Sequence, residues 1–148
     1  MATESRDPIV ALPWPVSVVL FSGTDDKLGA ATMLVAGAAA TGHRVQVLLQ
    51  HWALDAFRRD AIGKDHGVSA EAGPEGATAL GRWQQQNPVH WSDTLRRVKE
   101  FGPVRISASS LSMDVLGLCI EDLDDMVDEV VGIASFWSTA GDGPVLFV

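Results

Sequence analysis

Residues Ser107 to Gly117 read SASSLSMDVLG and follow the apolar run Val104 to Ile106. A β-branched apolar run that gives way to small residues and then to a helical pattern is the end of a buried strand turning into a helix. Such junctions are where α/β proteins do chemistry, because a strand's carboxyl end beside a helix amino end presents free backbone N–H groups and a positive dipole. Ser107, Ala108, Ser109 and Ser110 leave room for something to approach. None is reactive by itself: a serine is a poor nucleophile without a neighbouring base, and Ser109 or Ser110 also reads simply as the N-cap of the next helix.

Working outward, the same strand-to-helix pattern recurs. Val16 to Phe21, VSVVLF, is unalternating and β-branched, as expected of a strand buried on both faces of a parallel sheet. Ser22, Gly23 and Thr24 break it, and Asp25 and Asp26 open a helix that ends at the C′ glycine Gly42. Leu28, Ala31, Val35, Ala38 and Ala39 form its apolar stripe, small enough to lie close on a sheet. Arg44 to Gln50 is the second strand, completing a right-handed βαβ unit, with His51 and Trp52 at its carboxyl end. A short helix from Leu54 to about Asp60 points Leu54 and Phe57 inward.

Composition then changes. Gly63 to Asn87 is glycine-rich with few large apolar residues, which predicts a long loop or insertion over about 62–91 acting as a lid or partner loop, or disordered; Trp83 and Trp91 argue that it docks. Ser92 is the expected N-cap of a helix to about Phe101 with Leu95, Val98 and Phe101 on one face, stopped by Gly102 and Pro103. The third strand is Val104 to Ala108, followed by a helical turn around Met113 to Leu118. From Glu121 one or two helices are expected, with Leu123, Met126, Val127, Val130, Ile133, Ala134 and Trp137 lining an apolar face and a break at Gly132. Gly141 to Gly143 turn the chain into a last strand, Pro144 to Val148. Four strands are visible and a fifth has room in the long loop. The fold class that follows is α/β: a three-layer α/β/α sandwich around a mostly parallel sheet of four to five strands, one domain over 1–148 with a proline-containing lead over 1–15.

Bulk properties agree. A chain of 148 residues suits a single core, and 47% hydrophobic with 20% charged residues is globular composition. The net charge of −8, much of it in Glu121, Asp122, Asp124, Asp125, Asp128 and Glu129, argues against nucleic-acid and membrane-surface partners. The Ala/Gly-rich segment Leu28 to Gly42 is shorter than the roughly 20 residues that span a bilayer. MATESRDP has no apolar export segment, and the single cysteine, Cys119, excludes an internal disulfide; both fit a reducing cytoplasmic compartment.

In an open α/β sheet, residues at the strands' carboxyl ends converge on one crevice. Ser22, Gly23 and Thr24, His51 and Trp52, and Ser109 and Ser110 define it here, each also readable as ordinary turn or cap chemistry. Ser22 to Gly29, SGTDDKLG, offers Lys27 at a strand-to-helix turn but lacks the spacing of a phosphate loop, and its aspartates oppose a phosphate. A Ser109, His51 and Asp114 hydrolase lacks GxSxG. The four histidines show no ligand spacing, so no metal and no cofactor is implied. Cys119, among Leu116, Leu118 and Ile120, reads as a buried, inert thiol.

VVLFSGTDDKLGAATMLVAGAAATGHRVQVLLQHWAL, ISASSLSMDVLGLCIEDL and the closing PVLFV together resemble the DsrE/DsrF-like family, some of whose members are labelled peroxiredoxin-family proteins. The resemblance covers most of the chain and is weak over Ile62 to Trp91. It implies small cytoplasmic α/β proteins of a sulfur relay, commonly homo- or hetero-oligomers, which pass persulfide sulfur through a cysteine at the end of the third strand. That cysteine's position, one before x-x-SMD, falls on Ser109, and the surrounding motif residues are Ser112, Met113 and Asp114. A serine oxygen cannot carry a persulfide. The resemblance thus implies a DsrE-like partner or scaffold subunit in sulfur trafficking, a trimer, hexamer or mixed oligomer with a cysteine-bearing relative. The alternatives are a sulfurtransferase-like carrier using Cys119 and a small-ligand binder using the crevice.

Overall fold

A computed structural model describes residues 14–148, so the lead expected over 1–15 lies outside the described residues except for Trp14 and Pro15. Five strands, β1 (Val16–Leu20), β2 (Val45–Leu49), β3 (Val104–Ser109), β4 (Glu129–Val131) and β5 (Val145–Phe147), form one sheet in the order β4-β3-β2-β1-β5. Every pairing is parallel. The helices are α1 (Asp25–Ala40), α2 (Trp52–Ala56), α3 (Gly73–Gln86), α4 (Trp91–Phe101), α5 (Ser110–Leu116) and α6 (Ile133–Ala140). The chain steps from β1 to β4 in one direction, so right-handed crossovers place α1, α4 and α5 on one face; the return from β4 to β5 puts α6 on the other.

The two cores follow from this asymmetry. Val18, Leu20, Val47, Leu49 and Ile106 pack against Leu28, Ala31 and Val35 of α1, Leu54 of α2 and Leu95 of α4 in the large core. On the opposite face Val19 and Leu48 meet Phe136 of α6, with Val131 and Val145 beside them. Ser17 and Gln46 also lie on that side: Gln46 Nε2 donates to Ser17 Oγ at 2.7 Å and reaches the Phe136 carbonyl at 3.4 Å, so neither buried group is left unmet. The expected α1 stripe is the buried face of the helix, and Gly42 at φ 87° ends it as the C′ residue.

Several expectations are corrected. The segment taken for a long loop contains a 3₁₀ turn, Ala70–Ala72, and the 14-residue helix α3. Pro74 in its first turn and its alanines, Leu80, Arg82 and glutamines are good helix material, and together they outweigh two internal glycines. The acidic segment after Glu121 is not helical up to Gly132. A 3₁₀ turn over Ile120–Asp122 leads through an irregular stretch into β4, so the fifth strand lies here and not in the long loop. Aspartate side chains capture the backbone instead: Asp124 accepts from the Met126 N–H at 2.9 Å and Asp128 from the Ile106 N–H at 2.8 Å. Leu123, Met126 and Val127 are buried as their pattern suggested, from a non-helical backbone.

Smaller corrections have equally local causes. α2 begins at Trp52, earlier than expected, and α5 begins directly after β3. The N-cap of α4 is His90, whose ring accepts from the Ser92 N–H, in place of Ser92 itself. Phe101, expected inward, is 89% exposed at the last position of α4, where Gly102 already turns the chain away. No helix among the described residues is long and apolar enough to cross a membrane.

Candidate functional site

β1, β2 and β3 are parallel neighbours, so their carboxyl ends lie side by side at one edge of the sheet, but the hollow there takes in Ser22, Gly23, Thr24 and Trp52 and not His51, Ser109 or Ser110. After β1, Gly23 lies so close to α2 that a Cβ would stand 2.3 Å from the Trp52 carbonyl oxygen, which only glycine avoids. The Ala53 N–H donates to the Phe21 carbonyl at 3.1 Å, and the Ser22 and Thr24 hydroxyls are 3.1 Å apart. Ser22, Gly23, Thr24 and Trp52 line an open hollow of about 660 Å³ whose far wall carries Arg58 and Lys64. Arg58 is engaged by Asp55 at 3.7 Å and Asp60 at 3.2 Å.

His51, after β2, adopts φ 44°, the one positive φ at a non-glycine position among the described residues. Such a conformation costs of order 1–3 kcal/mol and persists only where surroundings enforce it. Its ring sits 5.0 Å from that of Phe21 and 6.2 Å from that of Trp52, and Nδ1 is 3.4 Å from Oγ of the buried Ser112. Ser109 ends β3 and occupies the N-cap position of α5; it is 6% exposed and its hydroxyl makes no capping hydrogen bond. Ser110 opens α5.

The other sequence candidates lie elsewhere. Lys27 pairs with Glu71 at 3.0 Å. Met113 is buried in the large core, and Asp114 is exposed on α5. Cys119, expected to be buried, is exposed. Gly117 at φ 64° ends α5; Leu116 and Leu118 pack against the large core while Cys119 stays at the surface, so its apolar neighbours in sequence do not enclose the thiol. Its Sγ donates to Asp122 Oδ2 at 3.2 Å, and the same carboxylate accepts the Cys119 N–H at 2.9 Å. Asp122 and then Glu121 push the thiol above its ordinary value, since both favour the protonated form.

Composition concealed one further cluster. Asp25, read only as an acid suited to a helix start, is 5% exposed and accepts from the Trp91 indole N–H at 2.8 Å and the His66 N–H at 2.9 Å, with His90 Nε2 3.7 Å away. Asp26 holds the Ser69 N–H at 3.0 Å and the Ser69 hydroxyl. The paired acids therefore tie the segment before α3, and the start of α4, to the amino end of α1. Two adjacent aspartates where one suffices for the dipole were the available signal. Among the described residues no group of three His, Cys, Asp or Glu is placed to hold a metal ion.

No family model matches the sequence. YrkE of Bacillus subtilis (strain 168), described as uncharacterized, is 28% identical over 154 residues, covering 89% of this chain and 95% of that protein. Among solved structures, MTH1491 from Methanobacterium thermoautotrophicum, described as of unknown function, superposes with a TM-score of 0.57 at 16% identity, covering 92% of this chain and 100% of that one. YchN from E. coli gives 0.55 at 15% identity over 91% and 99%. Together with the five-stranded parallel sheet and helices on both faces, these likenesses identify the fold as α/β and DsrE-like.

Proposed function

We propose that this chain is a DsrE-family protein of sulfur trafficking that serves as a non-catalytic partner or scaffold subunit. The reading rests on Ser109, which ends β3 at the start of α5 and is buried, with Ser112 buried one turn on; at the position that the resemblance gives to the family cysteine it carries only a hydroxyl oxygen. Oxygen cannot hold sulfane sulfur, and among the described residues no hydrogen bond joins the Ser109 hydroxyl to a base that would make it a nucleophile. The fold likeness to YchN and MTH1491 supports the family assignment. The acids beside Cys119 support the non-catalytic role, because they disfavour the thiolate that would accept sulfur.

The reading carries with it a cytoplasmic setting and an oligomer, either of this chain alone or with a cysteine-bearing relative. Support for the oligomer comes from the α6 face, where Ile133, Trp137 and Phe147 stand exposed. A carrier role for Cys119 is the second reading, favoured by the exposure of its sulfur. Intact mass after incubation with polysulfide separates the two. An unchanged mass after desalting is expected; stable addition of sulfur at Cys119 would overturn the non-catalytic assignment.

A further inference from the structure

We infer that the space enclosed by α1, α3 and α4 is a binding site for a small neutral molecule with a flat apolar body and a single hydroxyl group. The starting observation is α3 itself, a 14-residue helix with no buried residue. An amphipathic helix normally closes its apolar stripe on a neighbour. Here Leu80 and Trp83, one turn apart, face a cavity of about 480 Å³ together with Met33 of α1 and Trp91 of α4. That volume is in the range of small-molecule sites, which are mostly apolar with a few convergent polar groups.

The polar groups at the base define the head of the ligand. His90 Nδ1 accepts from the Ser92 N–H and lies 2.7 Å from the Ser92 hydroxyl, so it carries the lone pair and the neutral ring's proton is on Nε2. That Nε2 is buried and has no hydrogen-bond partner. The nearest acceptor, Asp25 Oδ1, is 3.7 Å away, too far for a bond. Nε2 is closed to water in this structure; a hydroxyl oxygen that a bound ligand brings between the two groups would accept from Nε2–H and donate to Oδ1, meeting both at once. An anionic head would face Asp25, Asp26 and Asp65 against the single lysine of the wall, Lys64. An ammonium head would leave the Nε2 proton unmet. The site lies apart from Ser109 and Cys119 and does not depend on the sulfur-trafficking proposal.

The test is titration of the full chain with 2-naphthol, naphthalene and 2-naphthoate, followed by tryptophan fluorescence and by the indole N–H resonances. Two variants are compared: His90→Asn, which keeps an N-cap acceptor but removes Nε2, and Trp83→Ala on the half-exposed wall. Expected are saturable binding of 2-naphthol with shifts of the Trp83 and Trp91 resonances, and binding weaker by about tenfold or more in each variant and for each of the other two probes, the scale of one buried hydrogen bond or one aromatic contact. Absence of saturable 2-naphthol binding, equal binding of naphthalene or naphthoate, or unchanged affinity in either folded variant would overturn the proposal.

Discussion

At Ser109 two opposing effects set what a thiol would do there. The amino end of α5 offers 0.3–1 kcal/mol to an anion, less than one pKa unit, whereas burial of the kind Ser109 shows raises a thiol by up to several units. Ser109→Cys in a Cys119→Ala background is therefore expected to label with iodoacetamide at an apparent pKa above about 8.5, the unperturbed value. A lower value in the pH–rate profile would mean that a thiolate site survives intact. At Cys119 the sign is reversed by mutation: Asp122→Asn removes the carboxylate that accepts the thiol's hydrogen bond and repels the thiolate. Labelling near pH 8 should become several-fold faster, with an unchanged rate counting against the assigned cause. Gly23→Ala should destabilise by about 1–3 kcal/mol in urea unfolding, because the Trp52 carbonyl occupies the space a methyl group needs.

Among the elements, the tether from α1 to the 65–72 segment weakens as pH falls. Burial raises the Asp26 carboxyl, but the Ser69, Thr24 and Lys27 hydrogen bonds outweigh it, and the net value lies below 3.8. A carboxyl lowered by folding stabilises fully above its unfolded value, and that contribution is lost as pH falls through the folded value. The tether should thus hold at about pH 5 and loosen below about pH 3.8, the unfolded carboxylate value. A loss of amide hydrogen-exchange protection over 65–72 between pH 5 and about pH 3, relative to the intrinsic rates at each pH, checks this. Asp26→Asn should expose the same segment to a neutral protease, at a cost of about 1–2 kcal/mol; equal resistance of variant and parent would remove Ser69 capture as the device that holds α3 in place.

For the whole molecule, the reversal of strand order leaves one eight-residue helix to cover a five-stranded face. Trp137 is 55% and Phe147 69% exposed beside it, an apolar surface of the kind that interfaces use. Light scattering at micromolar concentration is expected to give a mass above the 15.8 kDa of one chain, and Trp137→Asp to return it to the monomer. A monomeric parent would remove self-association, leaving only association with another subunit.

Much of this architecture was legible along the chain because parallel strands buried on both faces must be continuous apolar runs. VSVVLF, RVQVLLQ and Val104 to Ala108 could be nothing else, and the glycine, serine and aspartate residues after them placed the strand ends. Gly23 was legible as a turn, though not its contact with Trp52. Three-residue β4 was not legible, since Leu123 to Trp137 satisfies a helical period and only the capture of Asp124 and Asp128 by backbone and cations decides against it. Local pattern determined the α/β class and the order of the long elements. Tertiary structure alone decided which acids face inward, where the cysteine emerges, and that α3 stands over a cavity, because burial and hydrogen-bond partners depend on segments dozens of residues apart, such as Asp25 and Trp91, arriving at the same place.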